Sequence, residues 1–62
     1  MKYKVDYRFW GTIEINTVYC YNAKQRDKLV HELETDFAIT YISISKVLKG
    51  DIIKPLKSMI IH

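Results

Sequence analysis

Residues 22–37, NAKQRDKLVHELETDF, form the one segment in which apolar side chains recur at helical spacing. A repeat of three to four residues is typical of an amphipathic helix with one buried face. Asn22 is a favourable N-cap, and Gln25 three residues later completes a capping-box pattern. The predicted helix therefore covers residues 22–37, and its apolar stripe comprises Ala23, Leu29, Val30, Leu33 and Phe37.

The segment before the helix begins with a cleanly alternating strand at residues 2–9. Alternation with a period of two predicts a strand with one buried and one solvent-exposed face. The side chains predicted to face the core are Tyr3, Val5, Tyr7 and Phe9, and those predicted to face outward are Lys2, Lys4, Asp6 and Arg8.

A second strand is expected at residues 13–21, with its odd-numbered side chains facing the core: Ile13, Ile15, Thr17, Tyr19 and Tyr21. A three-residue loop at 10–12 would place Phe9 opposite Ile13 and Arg8 opposite Glu14, since directly opposed residues share a face. This register places Val18 and Cys20 on the outer face of the strand, away from the core. A bulge near residues 16–17 that reverses the parity is the alternative.

Two more strands are expected after the helix, at residues 38–48 and 52–61, joined by a turn at 49–51. Apolar residues occupy both parities of the first, as in a strand that is covered on both faces or lies at an interface. Pro55 cannot donate a backbone hydrogen bond, so the second is an edge strand or is interrupted there. Isoleucine favours strand, but a short helix beginning at Pro55 remains open.

These elements predict an α+β fold in a single domain at residues 1–62, with a four-stranded antiparallel sheet, one covering helix and the order ββαββ. The strand order within the sheet stays open. One helix leaves the other face of the sheet uncovered, and exposed apolar patches commonly mark association surfaces. We therefore expect a homodimer through the open face or the C-terminal edge strand, although a twisted sheet with half-exposed residues is the alternative. Some of the following residues are expected on that face or at its edges: Val18, Tyr41, Val47, Ile53, Met59 and Ile61.

Composition also favours a partner. In 62 residues, 48% are apolar, yet a core of this size rarely supplies more than about 3–5 kcal/mol. Cys20 is the single cysteine, so no internal disulfide forms, and with His31 and His62 it does not make the four-ligand set of a structural zinc site. No metal or cofactor is predicted. Association with another chain is the remaining source of support.

The chain shows no targeting or catalytic pattern. No apolar run follows Met1, and none approaches the roughly 20 residues of a membrane-spanning helix, so a cytoplasmic protein is expected. Cys20 and His31 are not placed together by any motif, and Gly11 and Gly50 do not form a phosphate-binding loop. The sequence therefore predicts a protein that is not an enzyme.

Protein binding is the first functional hypothesis, because large apolar and aromatic residues exceed what so small a core can bury. Tryptophan, tyrosine and arginine are enriched at binding hot spots. Trp10 lies at a predicted hairpin tip beside Arg8, although it can also fold back over the core. The candidate binding residues are Arg8, Trp10, Tyr41, Ile53, Met59 and Ile61.

In composition the chain resembles the short, lysine- and isoleucine-rich proteins of phages and mobile elements from low-GC bacteria. That resemblance implies an inhibitor that occludes a host or defence protein, acting in the host cytoplasm. A mimic of DNA would be strongly acidic, whereas this chain has a net charge of +3.

A basic nucleic-acid-binding module is the second hypothesis. Lys24, Arg26 and Lys28 lie at the start of the helix, where free backbone amides also favour anions. Binders of single strands usually place aromatic and cationic side chains on one surface. The predicted core parity of Tyr3 and Tyr7 separates these rings from the lysines of the first strand, which favours the protein-binding hypothesis.

Overall fold

The computed structural model describes residues 2–61. The four strands are β1 (Tyr3–Phe9), β2 (Asn16–Cys20), β3 (Ile39–Val47) and β4 (Ile53–Ile60), and the helix is α1 (Ala23–Glu34). The strands form one antiparallel sheet in the order β2-β1-β3-β4. The predicted ββαββ fold is confirmed. β4 continues through Pro55 as an edge strand, so the alternative of a C-terminal helix is wrong.

The helix begins as the sequence predicts. The Gln25 backbone N–H donates to Asn22 Oδ1 at 2.9 Å, and Gln25 Oε1 accepts from the Tyr21 N–H at 2.9 Å. Both bonds satisfy amides at the helix start that would otherwise lack partners. The glutamine thus reaches one residue further back than it does in the standard capping box.

The helix ends three residues before the predicted end. Thr35 forms the C-cap, and its backbone N–H donates to the carbonyls of His31 and Leu33. Asp36 then accepts a hydrogen bond from the Ala38 N–H at 2.9 Å, which stabilises a turn instead of another helical turn. Phe37 is consequently 87% exposed, and its predicted place in the buried stripe was wrong.

The predicted parity of the second strand was also wrong. Val18 lies opposite Val5, and Tyr19 lies opposite Lys4, so Val18 faces the helix and Tyr19 faces away from it. The β1–β2 register runs from Tyr3 to Tyr7 without a shift, and residues 10–15 make one irregular connection. The parity is therefore reversed by a longer connection rather than by a bulge within β2. The predicted Phe9–Ile13 and Arg8–Glu14 pairs do not form.

The core lies between the helix and three of the four strands. Its buried apolar residues are Val5, Cys20, Leu33, Ile39 and Ile42. The helix contacts β1, β2 and β3, but no Cα of the helix lies within 8 Å of a Cα of β4. Three of the residues named as candidates for the open face or its edges, Val18, Met59 and Ile61, instead pack partly against this core.

Candidate functional site

Four large apolar side chains are exposed at one end of the sheet, where β1 ends and β3 begins. Ile13 is 91% exposed, Phe37 87% and Trp10 78%, and more than half of Ile15 is accessible. The Trp10 backbone N–H donates to the Ala38 carbonyl at 2.6 Å and so joins the 10–15 connection to the turn before β3. We call Trp10, Ile13, Ile15 and Phe37 the apolar end.

A turn at residues 9–12 directs Trp10 away from the core. Gly11 has φ +79°, a backbone conformation that side chains with a Cβ rarely adopt. Thr12 closes the turn, because its N–H and its hydroxyl both donate to the Phe9 carbonyl, at 3.3 and 3.2 Å. The tryptophan is thus presented to solvent and does not fold back over the core.

The candidate binding residues separate into three places. Arg8, Trp10 and Tyr41 lie near the same end of the sheet, and the Arg8 guanidinium carbon is 5.4 Å from the centroid of the Tyr41 ring. Ile53 lies at the opposite end, beside Val47. The last two, Met59 and Ile61, pack on the helix side. The structure therefore does not bring the six residues together into one surface.

The open face of the sheet has a polar centre. Thr17 Oγ1 donates to Asp6 Oδ1 at 2.6 Å, Lys4 Nζ is 3.6 Å from Asp6 Oδ2, and the Ser43 and Ser58 hydroxyls are 3.2 Å apart. The apolar residues of this face lie nearer its two ends. One end has a shallow concavity of about 520 Å³ lined by Lys4, Tyr19, Val47, Asp51 and Ile53.

Within residues 2–61, two side chains have shifted pKa values, one on each face of the sheet. Hydrogen bonds from Ser58 and Ser43 lower the pKa of the Tyr41 phenol. Burial raises the pKa of the Cys20 thiol, and the positive charge of Arg26 partly opposes that shift. A raised thiol pKa disfavours the reactive thiolate, so Cys20 behaves as a packing residue.

Arg26, two residues from both Lys24 and Lys28, has partners within the fold. Its guanidinium carbon lies 4.5 Å from the centroid of the Tyr3 ring, and one of its nitrogens is 2.9 Å from Asp27 Oδ1. Of the predicted anion-binding trio, only Lys24 and Lys28 present exposed side chains to a ligand.

The two ends of the sheet also differ in charge. Carboxylates border the apolar end at Glu14, Glu34 and Asp36, with Arg8 as the nearby cation. Most cations lie at the other end, where β1 begins and β3 ends: Lys2, Lys4, Lys24, Arg26, Lys46, Lys49 and Lys54. The molecule is therefore electrically polarised along its strands.

A groove of about 300 Å³ separates the helix from β4. Its apolar lining comes from Val30, Ile44, Leu56 and Met59, and charged side chains border it: Arg26, Asp27, Glu34 and Lys57. The groove exists because the helix lies over the first three strands of the sheet and does not reach the fourth.

Ile13, Ile15 and Phe37 were expected in the core, so most of the apolar end was missed from the sequence. Gly11 and Asp36 supplied a usable signal, because turn-forming residues interrupt the chain just before the misplaced side chains. Within residues 2–61, no three metal-ligating side chains converge. No helix in that range is long and apolar enough to cross a membrane.

Comparison with known proteins gives no relative: no family model, no curated protein and no solved structure matches the chain.

Proposed function

We propose that this chain is a non-enzymatic module that binds another protein through its apolar end. One observation carries the proposal: Trp10, Ile13 and Phe37 are each more than three-quarters exposed at the same end of the sheet. Large apolar side chains that are exposed at one end of a fold are costly in water, and exposed apolar surface commonly marks a binding surface. Tryptophan is also the residue type most enriched among binding hot spots, together with tyrosine and arginine.

The carboxylates at the apolar end indicate which kind of surface a partner should present. Glu14 stands between two residues of the apolar end, and Asp36 precedes Phe37. Complementary potentials favour encounter, so the partner should offer an apolar depression with a basic rim. An anionic membrane surface fits poorly, because it repels these carboxylates.

In its most concrete form, the partner is a host or defence enzyme, and this chain inhibits it by covering a functional surface. The mode of action is then steric, and activity depends on the apolar end rather than on any reacting group. Such an inhibitor, encoded by a phage or a mobile element, would act in the host cytoplasm. With a purified target, Trp10→Ala should abolish inhibition while the circular dichroism spectrum remains that of the wild type.

The binding test compares immobilised wild type with three single variants in host lysate. Trp10→Ala and Ile13→Asp change the apolar end, whereas Ile52→Asp changes an exposed isoleucine at the other end of the sheet. A true partner is retained by the wild type and by Ile52→Asp and is lost from the other two. Equal retention on all four baits would refute binding through this surface.

A second test uses the single tryptophan as a reporter. Because the Trp10 indole is largely exposed, its fluorescence should shift to shorter wavelength when a purified partner covers it. The Ile13→Asp variant keeps the reporter and should require at least about tenfold more partner for the same shift, which corresponds to 1.4 kcal/mol. An unchanged spectrum at saturation would show that the partner binds elsewhere.

Single-stranded nucleic acid remains a second candidate, on a different surface. The open face pairs Tyr19 with Lys4 in register and places the Arg8 guanidinium over the Tyr41 ring. Aromatic and cationic side chains therefore do share one surface, although not the surface that the sequence suggested. A gel shift at about 50 and 200 mM salt tests it, since phosphate contacts weaken steeply with salt. Binding that is absent at both salt concentrations would exclude this candidate.

A further inference from the structure

β4 is an edge strand that is poorly covered on both faces. All of its side chains except that of Met59 are exposed, and Ile60 is 82% exposed. Edge strands present unpaired backbone groups, and natural proteins usually protect them with charges, prolines, bulges or a covering element. In β4 the proline and the irregularity lie in its first part, where Pro55 sits opposite Ser45 and the register shifts between Ile44 and Ser45. Lys57 is the one charged residue of the part that follows, up to Ile60.

In the second part of β4 the backbone N–H and C=O groups point alternately toward β3 and away from it. The Ile61 N–H donates to the Thr40 carbonyl at 2.9 Å, so the backbone N–H and C=O of Ile61 point toward β3. Hydrogen-bonded and non-hydrogen-bonded residues alternate along an antiparallel strand, so the backbone groups of Met59, two residues earlier, also point toward β3. The backbone groups of Ser58 and Ile60 therefore point away from the sheet.

We propose that a second copy of this chain pairs with β4 across a twofold axis at Met59, which joins two sheets into one of eight strands. In this register Ser58 of each copy lies opposite Ile60 of the other, and both residues exchange their outward N–H and C=O groups. Met59 meets its own counterpart on the helix side. This surface includes no residue of the apolar end, so the dimer and the partner proposed above are independent.

Several features favour a second copy over an unrelated strand. An antiparallel strand is compatible with its own twofold image, and twofold dimers are the commonest closed assemblies. The proposed register also opposes no like charges, because Lys57 lies opposite Ile61 of the other copy. β2, the other edge, offers five residues against the eight of β4, and its chain turns at once into the cap of the helix.

Light scattering of the wild type and two Ser58 variants is the first test. Ser58→Pro removes the outward N–H without removing a bond to β3, and Ser58→Ala keeps that N–H. At about 100 μM, a concentration suited to micromolar association, wild type and Ser58→Ala should show twice the 7.4 kDa of one chain. Ser58→Pro should show 7.4 kDa.

Cysteine crosslinking tests the register and does not depend on the proline variant folding. In the proposed dimer the two Met59 residues form a non-hydrogen-bonded pair, with Cα atoms about 4.5 Å apart, a distance compatible with a disulfide. Met59→Cys should oxidise to a covalent dimer. The matched control, Lys57→Cys, should remain monomeric under denaturing conditions, since its two copies would be about 13 Å apart along the strand.

Three outcomes would overturn the proposal: a wild type of 7.4 kDa at about 100 μM, a folded Ser58→Pro that stays dimeric, or Met59→Cys that does not crosslink. If β4 instead accepts a strand from a different protein, the purified wild type would give the first of these outcomes, the mass of a single chain. Loss of lysate partners from the Trp10 variant would leave all three measurements unchanged, so the two proposals fail separately.

Discussion

β3 and β4 are neighbouring strands of similar composition with opposite environments. Ile39 and Ile42 of β3 are fully buried, whereas Ile60 of β4 is 82% exposed. A helix is about 10 Å across and strands lie about 4.8 Å apart, so one helix covers two or three strands. Here it covers β1, β2 and β3. Position under the helix, rather than isoleucine content, decides which residues form the core.

Alanine at Ile42 should give the largest loss of stability. Removing a fully buried isoleucine side chain costs about 2–5 kcal/mol in the free energy of unfolding. In a domain of this size that loss is close to the whole stability. Ile42→Val, with an expected cost of about 0.5–1.5 kcal/mol, is therefore the variant to measure by urea denaturation.

The matched change in β4 is Ile60→Ala, measured at a low concentration at which the chain is monomeric. Its effect on the free energy of unfolding should stay within about 0.5 kcal/mol, since the side chain is largely exposed. If Ile60→Ala cost as much as Ile42→Val, which removes less of the side chain, the contrast between the two strands would be false.

An effect smaller than that of alanine at Ile42 is expected at the helix cap. Asn22→Ala removes the acceptor for the Gln25 N–H and should lower the free energy of unfolding by about 1 kcal/mol. Lys24→Ala, which changes an exposed residue of the same helical turn and leaves the Asn22 acceptor in place, is the control and should change it by less than about 0.5 kcal/mol. Urea denaturation of both variants would show whether the helix, which makes β3 a core strand, depends on this cap. Equal losses in the two variants would show that the cap hydrogen bond does not stabilise the helix.

The smallest predicted effect is a pH dependence from Cys20. Burial raises the folded pKa of this thiol above its ordinary value of 9.0, so the folded state holds the proton more tightly than the unfolded state. The resulting stability is complete below the unfolded pKa and is lost as pH rises through the folded pKa. Tyr41, with a lowered pKa, contributes with the opposite sign.

The measurement for Cys20 is the difference in free energy of unfolding between wild type and Cys20→Ala, followed from about pH 8 to about pH 10.5. Tyr41 is present in both proteins, so its contribution cancels. The difference should shrink as the pH rises. A difference that stayed constant would mean that burial does not perturb this thiol.

The parts of the fold that could be predicted were those with one dominant local signal. β1 alternates without exception, and Val5 is buried as its parity requires. Asn22 and Gln25 mark the helix start, and both make cap hydrogen bonds. Pro55 excluded a central strand, and β4 is indeed at the edge.

The errors arose where two local patterns competed. In β2 both parities carry apolar or amphipathic residues, so alternation alone did not distinguish Val18 from Tyr19. The decision came from tertiary structure, because the helix covers the Val18 side while a tyrosine hydroxyl can remain in water. Phe37 continued the helical spacing, but the turn stabilised by Asp36 ended the helix before it.

The same competition explains why the candidate site was mostly missed. Apolar residues were assigned to the core first, which left Trp10 as the only predicted member of the apolar end. Ile13 and Ile15 became exposed because the connection between β1 and β2 takes six residues, and its length follows from the register of the whole sheet. No local pattern contains that information.

The separation of charge between the two ends gives the molecule a dipole moment along its strands. In the field of a highly charged partner, such a body rotates before it makes contact, and salt weakens this steering. Near a polyanion the lysine-rich end would therefore lead and Trp10 would trail, pointing into bulk solvent. Near a polycation the order would reverse, and the indole would arrive first.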